Sequence, residues 1–224
     1  MEFPDKLLDG YRVFMTERFP QARKRYQVLA SDGQKPETMV IACCDSRAAP
    51  EDIFNVEPGE IFVMRNIANQ VPPFQPDNHH HATSAALEYA VQALQVKHIV
   101  VLGHGQCGGI KSALDLQSKP LSSDDFIGRW MNLIAPAAQT VAANNFMTDG
   151  ERETALERIS IRYSIANLLS FPWLAKRHQQ GLLTLHGAWF DILSGELWVM
   201  NSTTGDFARV DFPDRADQPN ETFV

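Results

Sequence analysis

Four unbroken apolar runs constrain this chain more than any other feature. They are Thr38-Met39-Val40-Ile41-Ala42-Cys43, Ile61-Phe62-Val63-Met64, Ile99-Val100-Val101-Leu102-Gly103 and Leu182-Leu183-Thr184-Leu185-His186. A strand with one wet face alternates apolar and polar residues, whereas a run apolar at nearly every position is buried on both faces. That is the pattern of a parallel sheet covered by helices. A fifth run, Leu197-Trp198-Val199-Met200, follows Gly195. The short connection Asp191–Gly195 makes it the second half of a hairpin, an antiparallel strand at the sheet edge.

Helical patterns lie between the runs. Leu87, Ala90, Val91 and Leu94 share one face over Ser84–Leu94, and further helices are predicted over 109–116, 124–143 and 151–169. The last carries Leu156, Ile159, Tyr163 and Ala166 as its apolar face. The fold class is therefore α/β: a mostly parallel sheet of four strands plus an antiparallel edge strand, with helices on both faces. A helical arm over residues 5–30 precedes it, with Leu7, Leu8, Tyr11, Phe14 and Met15 at helical spacing and Pro20 separating a second helix from Gln21 to about Leu29. The arm's apolar stripe must cover its own core or a partner subunit.

The 224 residues suit one domain, with the arm at 1–30, an α/β core over 34–200 and a C-terminal segment over 201–224. No repeat or linker divides them. A net charge of −7 argues against nucleic acid or an anionic membrane as a general partner. No stretch approaches the roughly 18 apolar residues of a membrane span, and Met1–Lys6 has neither the basic start nor the apolar stretch of a signal peptide. The cytoplasm is the expected location. Three cysteines, an odd number, argue against a disulfide framework, and buried structural cysteine is the plain alternative to a chemical role.

Two segments at strand ends carry the chemistry. At the end of the first run, Cys43-Cys44-Asp45-Ser46-Arg47 alternates, so Cys43, Asp45 and Arg47 project one way and Cys44 and Ser46 the other. At the end of the third, Gly103-His104-Gly105-Gln106-Cys107-Gly108-Gly109 presents an imidazole and a thiol among glycines that let the backbone bend sharply. Ligands of open α/β sheets sit beyond the carboxyl ends of the strands, so the two segments converge if their strands are neighbours. Cys43, His104 and Cys107 then form a set suited to zinc, with three protein ligands and a fourth position for water. Asp45 is either a fourth ligand or the group that orients that water, and Arg47 is placed to hold its carboxylate off the metal. A purely structural zinc site closed by Asp45 and a redox role for Cys43–Cys44 are rival readings. The strand alternation points those two thiols apart.

The pair Cys-x-Asp-Ser-Arg and Gly-His-x-x-Cys-Gly-Gly, about 60 residues apart, resembles the β-class carbonic anhydrases. The likeness continues through Pro58–Asn69, Ser84–Val91 and Lys97–Leu102, dense from about Gln34 to Leu116 and looser afterwards. It implies one Zn2+ per chain on Cys43, His104 and Cys107, with Asp45 and Arg47 as the gating and orienting pair. The implied reaction is reversible hydration of carbon dioxide to bicarbonate and a proton, by attack of zinc-bound hydroxide. Gln34 matches a substrate-binding glutamine, Phe62, Ile67 and Tyr89 match the apolar carbon dioxide pocket, and the Gly108 amide matches a donor to a substrate oxygen. Parts of that pocket come from a partner subunit, since the family builds on dimers, often paired into dimers of dimers, whose N-terminal helices wrap the neighbour. Relatives that close their site with bicarbonate typically carry Trp three residues before the first cysteine ligand. Val40 stands there, which predicts a site open to water at neutral pH. Hydrolysis of carbon disulfide or carbonyl sulfide on the same scaffold is the nearest rival activity. His79, His80 and His81 offer no clear shuttle, and His98 and His186 read as structural.

Overall fold

The computed structural model describes residues 3–77, 79–115, 117 and 119–211. The four apolar runs become β1 (Thr38–Cys43), β2 (Ile61–Asn66), β3 (His98–His104) and β4 (Thr184–Phe190), all parallel. The strand order is β2-β1-β3-β4-β5-β6, with β5 (Leu197–Met200) antiparallel to β4 as the hairpin predicts. A sixth strand, β6 (Phe207–Arg209), pairs with β5 and takes the edge position expected for it. Phe-Ala-Arg is too short and too mixed to show in a sequence pattern. Two similar turns build this end: Gly195 N–H donates to Asp191 O at 2.8 Å, and Gly205 N–H donates to Asn201 O at 2.8 Å.

β1 lies between β2 and β3, so the chain leaves β1 toward one neighbour and returns to enter the other. The crevice at the carboxyl ends of β1 and β3 is thus the switch point of the sheet, and both chemistry-bearing segments open into it. One face of the sheet packs Met39, Ile41, Ile99 and Val101 against Leu87, Val91, Ile161, Leu168 and Leu174. These come from α4 (Ala82–Glu88) with the wide turn that follows it (Tyr89–Ala93), α8 (Asp149–Leu168) and α9 (Pro172–Gln179), the last a helix that the sequence pattern did not reveal. The opposite face holds a smaller cluster around Val40, Ala42, Leu102 and Ala188, with Ile53 from α3 (Pro50–Ile53). A third cluster joins Cys43, Cys107 and Ala68 to Ile110, Met131 and Leu156, and draws on α5 (Gly108–Leu114), α6 (Phe126–Met131), α7 (Ala135–Ala142) and α8.

Three local expectations change. The helix predicted over 124–143 breaks at Asn132–Ile134, because Pro136 has no N–H to give the carbonyl four residues back. In the arm, Pro20 does not separate two helices. α1 (Asp5–Val13) passes through a wider turn at Phe14–Arg18 into α2 (Phe19–Asp32), and Phe19 N–H donates five residues back to Phe14 O. On α8 the buried stripe is Leu156, Glu157, Ser160, Ile161, Ser164 and Leu168, while Tyr163 faces out. The helix wedges between two clusters, so its inward surface is broader and more polar than its apolar pattern. No residue of α1, α2 or the turn between them is buried, and Leu7, Tyr11 and Val13 are each about half exposed. Among the described residues no helix is long and apolar enough to cross a membrane.

Candidate metal centre

Cys43 is the last residue of β1 and His104 the last of β3, so parallel pairing sets them at the same end of adjacent strands. Cys107 lies at the start of α5, three residues beyond His104, and Gln106 between them adopts φ 56°. That left-handed residue reverses the chain and turns the imidazole and the thiol inward. The result is one cluster: a ligand atom from each of Cys43, His104 and Cys107 lies within 4.8 Å of the other two. All three residues are at most 5% exposed. Cys44 is exposed, as strand alternation predicts.

The donor chemistry fits zinc. Tetrahedral zinc with sulfur at about 2.3 Å and nitrogen at about 2.0 Å separates its ligand atoms by roughly 3.5–3.8 Å, within the spread seen here. His104 Nδ1 donates to the Gly105 carbonyl at 2.8 Å, since a carbonyl only accepts. This leaves Nε2 as the free lone pair, and Nε2 is buried with no hydrogen-bond partner. Ala68 N–H donates to Cys43 Sγ at 3.3 Å, a bond that favours the thiolate. The neighbouring Cys107 thiol chiefly lowers the pKa of Cys43, and Cys43 together with burial raises that of Cys107. Burial disfavours a charged His104, yet Cys43, the Gly105 carbonyl and Asp45 outweigh it and raise its pKa.

Asp45 stands at the rim. Arg47 Nε donates to Oδ1 at 2.9 Å, Arg47 Nη2 to Oδ2 at 2.7 Å, and the Arg47 amide also to Oδ1 at 3.0 Å. These bonds hold the carboxyl well below the usual carboxylate range. Oδ2 lies 3.9 Å from His104 Nε2, beside the cluster and outside hydrogen-bond reach. Arg65 fixes the turn from below: Nε donates to Cys43 O and Nη2 to Asp45 O, each at 2.7 Å.

Ile67 and Gly108 are the chain neighbours of Ala68 and Cys107, two residues that pack in the cluster's own core. Both line a cavity of about 520 Å³, together with Gly109, Ser112 and Met131. Ile67 is fixed through its carbonyl, which accepts from Trp130 Nε1 at 2.8 Å. A Cβ on Gly109 would stand 2.8 Å from Ile67 Cγ2, so only glycine lets α5 approach this closely. Gly108 opens α5, where the first N–H groups have no partner within the helix.

Gln34, Phe62 and Tyr89 do not reach the cluster of their own chain. Phe62 pairs with Met39, four residues before Cys43, which places it about 13 Å back along the strand at roughly 3.3 Å per residue. It packs on Tyr89 with ring centroids 5.8 Å apart, and Tyr89 is half exposed. Gln34 is exposed in the loop entering β1, at the opposite end from Cys43. β2 is the sheet edge and is only half-buried throughout, so this apolar surface faces outward.

The remaining histidines lie elsewhere. His81 Nε2 bonds Asp77 at 2.7 Å, and His80 and His81 line a cavity of about 600 Å³ beside Cys44. His98 and His186 bond each other at 3.2 Å, toward the amino-terminal ends of β3 and β4 and away from the cluster. Several groups at the site escaped the sequence reading. Ala68 adopts φ 58°, a costly conformation for a residue with a Cβ, and its N–H donates to Cys43 Sγ. Arg65 and the buried Glu157 read in sequence as ordinary charged residues. A strand arginine one position from the cysteine's register was the only available signal for the first.

A family profile described as Carbonic anhydrase matches residues 38–197, a stretch that holds the cluster, Asp45 and Arg47. Beta carbonic anhydrase 3 of Arabidopsis thaliana is 34% identical over 209 residues, covering 91% of this chain and 80% of that protein. Among solved structures, the beta-carbonic anhydrase CcaA matches with a TM-score of 0.85 at 29% identity, covering 93% of this chain and 92% of that one. A tetrameric beta-carbonic anhydrase from the filamentous ascomycete Sordaria macrospora matches with a TM-score of 0.68 at 30% identity, covering 88% of this chain and 93% of its own. The sheet order, the cluster at its switch point and these likenesses agree: the chain belongs to the β-class carbonic anhydrase family of enzymes.

Proposed function

We propose that the chain hydrates carbon dioxide reversibly to bicarbonate and a proton, at one zinc ion held by Cys43, His104 and Cys107. The observation that carries this reading is His104 Nε2, buried and unpartnered beside two buried thiols and a clamped carboxylate. Bound there, zinc would supply a Lewis acid that makes water ionise near neutrality, its general action in carbonic anhydrases.

The chain's own groups do the rest. Asp45, kept anionic by Arg47, accepts a hydrogen bond from the attacking water and so orients its lone pair. Because Arg47 engages both carboxylate oxygens, Asp45 would be held off a zinc ion bound by Cys43, His104 and Cys107, leaving that ion accessible to water. By the family resemblance, Ile67 would supply an apolar wall for carbon dioxide, and the Gly108 amide at the start of α5 would meet the substrate oxygen on which charge develops. Gln34, Phe62 and Tyr89, which face outward, complete the pocket of a second copy. The exposed stripe on α1 and the half-buried edge strand support a homodimer or a dimer of dimers, and the Sordaria relative is itself tetrameric.

The test is stopped-flow hydration of carbon dioxide by the zinc-loaded protein, with carbon disulfide and carbonyl sulfide as competing substrates. Rapid hydration supports the reading. Inertness toward carbon dioxide with turnover of either sulfur compound would replace it.

A further inference from the structure

Glu157 is the buried charged residue that the proposed reaction leaves without a task. It sits on α8, 2% exposed, directly behind the metal loop. Its two oxygens serve two different donors: Oε1 accepts the Cys107 amide at 3.0 Å, and Oε2 accepts Trp189 Nε1–H at 2.9 Å. The adjacent Arg158 stacks its guanidinium over the rings of Trp189 and Trp198, 4.6 Å from each centroid. A carboxylate in so dry a place is costly, and its geometry shows what it does.

The Cys107 N–H and the Gln106 carbonyl belong to one peptide group. Glu157 takes the N–H from inside the protein, and Arg47 Nη2 donates to the carbonyl from the rim at 3.1 Å. In a trans peptide these two groups point in opposite directions, so the two side chains grip one plane from its two edges. The gripped peptide follows the left-handed Gln106, a conformation that persists only where its surroundings hold it. It also joins the turn directly to Cys107, so its tilt sets where Sγ lies relative to His104 Nε2.

The geometry points to Glu157 as a positioning residue for the metal, which fixes the Gln106–Cys107 peptide in opposition to Arg47 and is itself held in place by the indole of Trp189. This rests on the zinc site proposed above. Both neighbours of Glu157 are donors, so both of its oxygens must accept. Glutamine has the same shape but must turn its NH2 toward one of the two donors. The conflict disappears if the indole N–H is removed, because the amide oxygen is then free to accept from Cys107.

Zinc dissociation constants from chelator competition, and the thiolate charge-transfer band of the cobalt(II) protein, are to be measured for wild type, Glu157→Gln, Trp189→Phe and the double variant. Circular dichroism confirms folding. Expected are a loss of about 10–100-fold in zinc affinity for Glu157→Gln with a shifted band, a much smaller loss for Trp189→Phe, and recovery of most of the affinity in the double variant. Wild-type affinity in Glu157→Gln overturns the inference, and so does a double variant weaker than either single one, which marks simple packing. Should Glu157→Gln not fold, the Cys107 amide proton of the wild type decides: a low-field, slowly exchanging resonance supports the clamp and an ordinary one overturns it. A wild type that binds no zinc defeats the proposed function and this inference together. Zinc binding unaltered by Glu157→Gln defeats the inference alone.

Discussion

Arg47 holds Asp45 by two parallel hydrogen bonds, Nε to Oδ1 at 2.9 Å and Nη2 to Oδ2 at 2.7 Å, and so keeps the carboxylate beside His104 Nε2 without touching it. Lysine, a single point charge, has no such fork. Arg47→Lys is therefore expected to retain zinc but to lower kcat/KM by about 10–100-fold, the usual scale for a group that supports a metal centre. Metal analysis beside stopped-flow hydration checks this. Retention of wild-type kcat/KM would show that the fork is dispensable. Asp45 is held well below ordinary carboxylate values, so it stays ionised at neutral pH, and activity loss between pH 9 and 6 is not expected to arise from it.

Cys43 is buried in the cluster and Cys44 is exposed beside a different cavity. Cys43→Ser should abolish stoichiometric zinc binding, whereas Cys44→Ser should bind one zinc per chain and keep its activity. Metal analysis after dialysis distinguishes the two, and a loss of zinc in Cys44→Ser would contradict the assignment.

Arg65 ties the carbonyls of Cys43 and Asp45 together from the neighbouring strand. Arg65→Gln leaves both acceptors without a charged donor and at least one without any side-chain donor at the present geometry, at a cost of about 1–3 kcal/mol. For a chain of this size that is a fall of roughly 2–10 °C in Tm. Calorimetry of the apo and zinc forms measures it, with the larger fall expected in the zinc form because the turn carries a ligand.

Burial and the neighbouring His98 both lower the pKa of His186 from the ordinary 6.5. The fold thus prefers the neutral ring while the unfolded chain takes up the proton first. Stability from this pair is complete above about pH 6.5 and is lost as pH falls below it. Urea midpoints between pH 5 and 8 should decline more steeply for wild type than for His186→Gln. Parallel curves would contradict this.

The strands and the cluster of Cys43, His104 and Cys107 were legible in the sequence for the same physical reason. A strand buried on both faces leaves an unbroken apolar run, and polar residues at its carboxyl end then stand out, as Cys43 and His104 do. What supports the cluster was not legible. Glu157 lies in a helix whose apolar residues point to Leu156 and Tyr163, and only packing between two clusters turns Glu157 inward and Tyr163 outward. Ala68 carries no mark of its left-handed backbone, which glycine or asparagine would have signalled. Phe62 and Tyr89, which the resemblance assigns to a carbon dioxide pocket, pack on each other away from the cluster of their own chain. Their distance from Cys43 follows from strand register, which a motif does not encode.

The most direct test of the account is to measure zinc content and carbon dioxide hydration on the same samples of wild type and Cys43→Ala across pH 7 to 9. Expected are one zinc per chain with rapid hydration in the wild type, and loss of both in the variant. A fully zinc-loaded wild type that remains inactive throughout that range would contradict it.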